Sequence, residues 1–441
     1  MKYIWSEFLL LGVMACVSCS LVNDLDSREK NNYGSQTSCP AAKAKRCEAI
    51  RKELDDLYGQ RNAASKIKNG DEVNRVLLEI NYRLEKLSLI RDQKDSTDEL
   101  SKLDQKYAEL RKILERTSGL PQGYVRPDGV TVSSVIYQTS ELQAVVDVMH
   151  AFGDLYIDAT PVNADGEQIA EDYSVPMPWS GYWYPLRRDE MFGDRDSPLR
   201  KFDRVFGGHA VEWEKSHQLS TTESWEGLCG ALSVAAVMTK EPSGPVTYRG
   251  ETFSVSDQKA LLMKAYELYP TKTFGIRYNG DQATDGARSD IRPEVFHRVA
   301  ESFIKEQKKS FIIDDTAGIE VWNKPIYRLR WRITKDDKVE NAYLVKAWPW
   351  FVRQRNEISE ALTSENDRYA PAPYEYRLYV DPSPRADGKY RVIAGEWLGA
   401  SKETHPDYVV VPEANGSPKS SNPGINTNLN LILSIVGQSQ R

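Results

Sequence analysis

At 441 residues the chain is longer than a single hydrophobic core usually organises, so two or three domains are expected. Hydrophobic residues make up 40% and charged residues 28%, a globular balance that excludes a chain disordered throughout. A formal charge of -6, with no concentrated basic stripe, argues against a nucleic-acid partner.

The N-terminus reads as an address. Lys2 precedes an apolar run from Phe8 to Val17, too short to cross a bilayer and the right length for a signal-peptide core. The run ends in Val13-Met14-Ala15-Cys16-Val17-Ser18-Cys19, which resembles a bacterial lipobox, with Cys19 and Cys16 both candidates for lipidation. Residues 1–19 are therefore expected to be a lipoprotein-type signal peptide and residues 20–40 a flexible tether. The expected location is the bacterial cell envelope, as an outer-membrane lipoprotein, or the exterior as a secreted protein. In an oxidising compartment Cys39 and Cys47 are spaced to close a small disulfide loop, which leaves Cys229 without a partner.

From 41 to 118 the apolar residues keep helical spacing, as in Cys47, Ile50, Leu54, Leu57 and in Val73, Leu77, Ile80, Leu84, Leu87. A third run, Leu100, Leu103, Tyr107, Leu110, Leu114, follows Ser96-x-x-Glu99, which reads as a capping box. The segment is expected to be a helical hairpin or three-helix coiled coil, a spacer or a means of oligomerisation. Residues 119–412 carry mixed signals and form the larger α+β domain. Thr131 to Tyr137 alternates like a strand, and Ser140 to Phe152 repeats like a helix. The run Pro176 to Pro185 holds Trp179, Tyr182, Trp183 and Tyr184 between prolines, and is expected to be ordered coil packed on a surface. Val255 to Tyr269 reads as a helix capped by Ser256, and Tyr374–Val380 and Tyr390–Trp397 as antiparallel strands. Residues 413–441 are expected to be a loose linker and an apolar C-terminal tail.

The chemistry centres on Ser224 to Ala236, where Cys229 stands at the start of a run of small and apolar residues that reads as a buried helix. A thiol at a helix N-terminus meets unpaired N–H groups and the positive end of the dipole, which favour the nucleophilic thiolate. Such a nucleophile needs a base and a group to orient that base. Of five histidines, His297 follows Cys229 and precedes Asp314, while His405, in His-Pro-Asp, is the rival base. Asp314 is preferred to Asp315 because neighbours in a strand face opposite sides. Trp225 and the backbone N–H of Cys229 are expected to shield the site and hold an oxyanion. The loop containing Asp281, Asp285 and Asp290 offers oxygen ligands, although its spacing matches no EF-hand.

Gly227-Leu228-Cys229-Gly230-Ala231 resembles the papain nucleophile segment, with Gly230 where papain has an aromatic residue. A longer resemblance runs from Pro178 to Asp407. Val321-Trp322-Asn323-Lys324-Pro325-Ile326 is similar to the Val-Trp-Asn-Gln-Pro-Val core of the elicitor peptide in the transglutaminase elicitor family. Pro178-Trp179, Lys201-Phe202-Asp203, Arg277-Tyr278-Asn279-Gly280, Phe296-His297, Phe311-Ile312-Ile313-Asp314, Gly395-Glu396-Trp397 and His405-Pro406-Asp407 resemble the same family in the same order. The resemblance implies a papain-like, transglutaminase-like catalytic domain and a calcium-assisted protein-glutamine gamma-glutamyltransferase. In it Cys229 is the nucleophile, His297 the base and Asp314 the orienting acid, with protein substrates and a lysine or water acceptor. Two positions depart from the family: Gly230 stands where it has His, and Lys324 where it has Gln. A papain-like cysteine protease and an inactive surface adhesin are the alternatives.

Overall fold

The computed structural model describes residues 39–439 apart from 67–69, 118–119, 121–123, 126–130, 133–138, 159–169, 218–222, 276–290 and 316–319. The lipobox cysteines Cys16 and Cys19 and the acidic loop of Asp281, Asp285 and Asp290 lie outside these residues. No described helix is long and apolar enough to cross a membrane.

Apolar residues at steps of three and four build α1 (Ala44–Lys66), α2 (Gly70–Arg91) and α3 (Thr97–Arg116). The Ser96 hydroxyl starts α3 by accepting the Glu99 amide at 3.2 Å. Cys39 and Cys47 are joined in a disulfide beside α1, with Cα atoms 6.6 Å apart. Two of the helices share a small core of their own, in which Cys47, Ile50 and Leu54 of α1 meet Val76, Ile80 and Ile90 of α2. The third does not. Leu103, Tyr107, Leu110 and Ile113 of α3 enter the main core with Leu142, Val145 and Val146 of α4 (Thr139–Phe152). Within the segment expected to be a spacer or a means of oligomerisation, α3 is thus packed on the large domain, which covers its apolar stripe.

The domain is organised by a ten-stranded antiparallel sheet. In chain order its strands are β1 (Tyr156–Ile157), β2 (Glu171–Ser174), β3 (Thr271–Gly275), β4 (Phe311–Asp314), β5 (Asn323–Lys335), β6 (Ala342–Val352), β7 (Arg368–Tyr369), β8 (Tyr374–Val380), β9 (Tyr390–Trp397) and β10 (Tyr408–Pro412). Eight of them run in the spatial order β1-β9-β8-β6-β5-β4-β10-β3, with β2 added to β5 and β7 to β6. Their Val, Ile, Tyr and Trp content suits a half-buried pleated surface.

Alternation along the strands divides the interior in two. Phe311 and Ile313 of β4 join the core that holds α4 and α9 (Pro293–Ala300), whereas Ile312 joins a second core. That second core is built from α5 (Pro198–Phe206), α6 (Ala210–His217), α7 (Cys229–Met238), α8 (Val255–Tyr266) and α10 (Leu429–Ser439). Ser254, not Ser256, caps α8, in a reciprocal capping box with Asp257. The aromatic run is part of this core, with Trp179, Tyr182, Trp183 and Tyr184 all buried. The C-terminal residues are not loose either. Buried Asn422 donates to the Ala210 carbonyl at 2.9 Å and to Glu214 at 3.0 Å, and Ile432, Ile435 and Val436 complete the core around α8.

Candidate active site

Cys229 is the first residue of α7 and is only 5% exposed. The chain reaches it by a turn that only glycine permits. A Cβ on Gly227 would lie 2.2 Å from Cε3 of Trp183, so the backbone passes the indole at a hydrogen atom's distance. The Leu228 amide then donates to the Trp183 carbonyl at 2.8 Å, fixing the residue before the cysteine. Trp183 meets Trp322 edge to face at 5.3 Å, and these two indoles wall the turn. Trp225 is half-buried on the approach to Cys229.

The hydrogen-bond partners of Cys229 Sγ come from the start of β5 and the loop before it. The thiol donates to the Val321 carbonyl at 3.5 Å, and Asn323 Nδ2 donates to the sulfur at 3.7 Å. Asp314 closes the group. It pairs with Asn323 across β4 and β5, and its Oδ1 accepts the Trp322 amide at 2.8 Å. Lying two residues after Ile312, it shares the strand face turned to Cys229. Burial pushes the Cys229 thiol up from its ordinary pKa, and the Asp314 charge pushes the same way. N–H groups of Asn323 and Gly230 oppose the shift without cancelling it, so the resting residue is a thiol.

His297 is placed elsewhere. Its Nδ1 lies 2.7 Å from the Tyr376 hydroxyl and its ring centre 5.2 Å from that of Trp331, both in the core on the far face of the sheet. It makes no hydrogen bond to Cys229 or Asp314, so the expected Cys229–His297–Asp314 relay is not assembled in this structure. The physical reason is visible in α9, whose residues are all buried. Such a helix has no exposed side to reveal which way its histidine turns. His405 is no substitute, since its Nδ1 lies 2.6 Å from the Ser401 carbonyl and its ring stacks on Trp397. His150 and His209 pair with Glu109 and Glu212, and His217 stacks on Trp213.

Burial lowers the His297 pKa from 6.5 to about 3, with Lys305 and Arg298 acting in the same direction. Between those pH values the unfolded chain binds this proton and the folded chain does not. Stability is therefore fully present above pH 6.5 and is lost as the pH falls toward 3, the lowered pKa of the folded state. The loss from this group is about 1.4 kcal/mol per pH unit. Urea midpoints measured from pH 7 to pH 4 are expected to fall more steeply for the native chain than for His297→Gln; equal slopes would contradict the assignment.

Asn323 escaped the sequence reading, in which it stood only inside a family block. What reveals it is the register Asp314–Asn323, a pairing across a loop that one strand's pattern does not encode. Among the described residues no group of three or more His, Cys, Asp or Glu side chains is placed to hold a metal ion. The loop of Asp281, Asp285 and Asp290 lies outside the described residues.

The family model for the transglutaminase elicitor matches residues 210–428, a span that includes Cys229, Asp314 and Asn323. The chain is similar in fold to the crystal structure of the GP42 transglutaminase from Phytophthora sojae, with a TM-score of 0.50 and 18% identity. The match covers 67% of this chain and 97% of that one. No curated protein sequence matches the chain.

Proposed function

Since residues 210–428 belong to the transglutaminase elicitor family, we propose that the chain is a thiol acyltransferase of transglutaminase type, with Cys229 as its nucleophile. The observation that supports this best is the meeting of a helix-terminal sulfur with the Asn323 amide and the Asp314 carboxylate. The substrate class is protein glutamine, with a lysine amine or water as acceptor. In this reading the site of action is the cell envelope or its exterior, reached through the lipidated cysteine, Cys19 or Cys16. The three N-terminal helices are open to oligomer formation on their exposed sides.

The steps follow from the groups present. The Cys229 proton passes to Asp314, and that transfer removes the negative charge that, after burial, adds to the protonation of the thiol. The thiolate attacks the carboxamide carbon of a glutamine side chain, and the electron pair moves onto the oxygen. N–H donors at the start of α7 face that oxyanion. Asp314 returns its proton to the departing nitrogen, the C–N bond breaks, and ammonia leaves a thioester on Cys229. An amine resolves the thioester to an isopeptide bond, while water resolves it to glutamate. Buried Trp183 and partly buried Trp322 beside Gly227 limit water and so favour the amine.

Incorporation of a dansyl-labelled primary amine into casein, run with and without calcium, tests this reading. Fluorescent casein is the expected product. Casein fragmentation without labelling would indicate a protease instead, and neither change would contradict catalysis of this kind.

A further inference from the structure

Asn323 is the junction of the site, and every polar atom of its amide and carbonyl that enters a described hydrogen bond points to the same conclusion. Its backbone carbonyl accepts the Ser233 hydroxyl at 2.7 Å and Gln354 Nε2 at 2.6 Å. Its side-chain Oδ1 accepts the Tyr408 hydroxyl at 3.3 Å, and its Nδ2 is 3.7 Å from Cys229 Sγ. The Tyr408 contact matters because a side-chain amide has two ends of similar shape and opposite polarity. A hydroxyl donor held at Oδ1 turns the NH2 end toward the sulfur. Four elements converge here: α7 supplies Cys229 and Ser233, β5 supplies Asn323, the chain after β6 supplies Gln354, and β10 supplies Tyr408.

We propose that the Asn323 carboxamide is the catalytic donor that stabilises the Cys229 thiolate, and that Tyr408 is the positioning residue that keeps its donor end on the sulfur. The assignment rests on Cys229 being the nucleophile, and it extends that reading to how the thiolate is reached. Asp314 on β4 acts on the thiol, Tyr408 on β10 holds the amide, Lys324 is paired with Asp315, and Glu320 is engaged by the Trp322 indole. Asn323 is thus the neutral group that offsets both burial and the Asp314 charge. The backbone N–H groups of Asn323 and Gly230 face the same sulfur and share that load.

The test is the pH dependence of Cys229 alkylation by iodoacetamide, followed by mass spectrometry of the peptide that contains it, on the full chain. This readout reports the thiolate alone, so it remains informative even where no acyl transfer to amines is detected. Asn323→Ala and the isosteric Asn323→Asp are expected to move the alkylation midpoint upward by about one to two pH units, the equivalent of one hydrogen bond to a charged group. The aspartate is expected to produce the larger shift, because it replaces a donor with a second carboxylate. Tyr408→Phe, which keeps the ring and loses only the hydroxyl, is expected to move it upward by a smaller amount. An unchanged midpoint in folded Asn323→Asp would overturn the role of Asn323. An unchanged midpoint in Tyr408→Phe, with Asn323→Asp shifted, would overturn the positioning role.

Discussion

Replacing Cys229 with alanine is expected to abolish amine incorporation while leaving the fold in place. The sulfur is the strongest nucleophile in the described site, and removal of such a nucleophile typically costs about 10^4-fold or more in turnover. The structural effect is small by contrast. Cys229 sits in a core with Ala231, Leu232 and Ile312, and loss of one sulfur atom leaves a small cavity worth about 1 kcal/mol. The two quantities separate cleanly in one preparation, with amine incorporation read by fluorescence and folding by thermal melting. Residual activity at a tenth of the native rate or above would remove the nucleophile assignment, because no second free cysteine is present among the described residues.

The second large effect comes from a residue with no chemistry of its own. Gly227→Ala is expected to destabilise the chain by roughly 3 kcal/mol, since overpacking of a rigid site costs in this range. The added methyl would meet Trp183 Cε3 at 2.2 Å, Cζ3 at 2.5 Å and the Trp183 carbonyl at 3.1 Å. The indole cannot swing away, because Trp322 lies edge to face against it and the Leu228 amide holds its backbone. The turn must therefore move, and Cys229 moves with it. A fall in melting temperature of roughly 3–5 °C is expected, together with loss of amine incorporation. Gly244→Ala is the matched control, as a Cβ there meets nothing within 4 Å. Equal melting temperatures for the two variants would contradict the packing described at Gly227.

Much of the fold was legible where one element's pattern suffices. The α1, α2 and α3 spacing, the paired strands β8 and β9, and the helix that starts at Cys229 all follow from local periodicity. The choice of Asp314 over Asp315 followed from the two-residue alternation of a strand, and Asp314 does face the cysteine while Asp315 pairs with Lys324. What the sequence hid is what depends on contacts between distant segments. The face of α9 was unreadable because all its residues are buried, so His297 was placed with the cysteine when it belongs to Tyr376 and Trp331. Asn323 acquires its meaning only from the register of β4 with β5, and Tyr408 only from the position of β10 beside β4. The same holds for the C-terminal residues, whose Asn, Ser and Pro content suggested a linker. Asn422 is instead a buried bracket between that segment and α6.

The central claim is a covalent acyl intermediate on Cys229, and trapping it is the most direct test. The full chain is incubated with a glutamine-containing peptide in the absence of amine, quenched in acid, and digested for mass spectrometry. The account predicts that the peptide containing Cys229 gains the mass of the substrate less ammonia, and that a primary amine added before the quench discharges the adduct into an isopeptide product. A chain that labels casein with amine while Cys229 carries no acyl group, or carries it at another residue, would contradict the account.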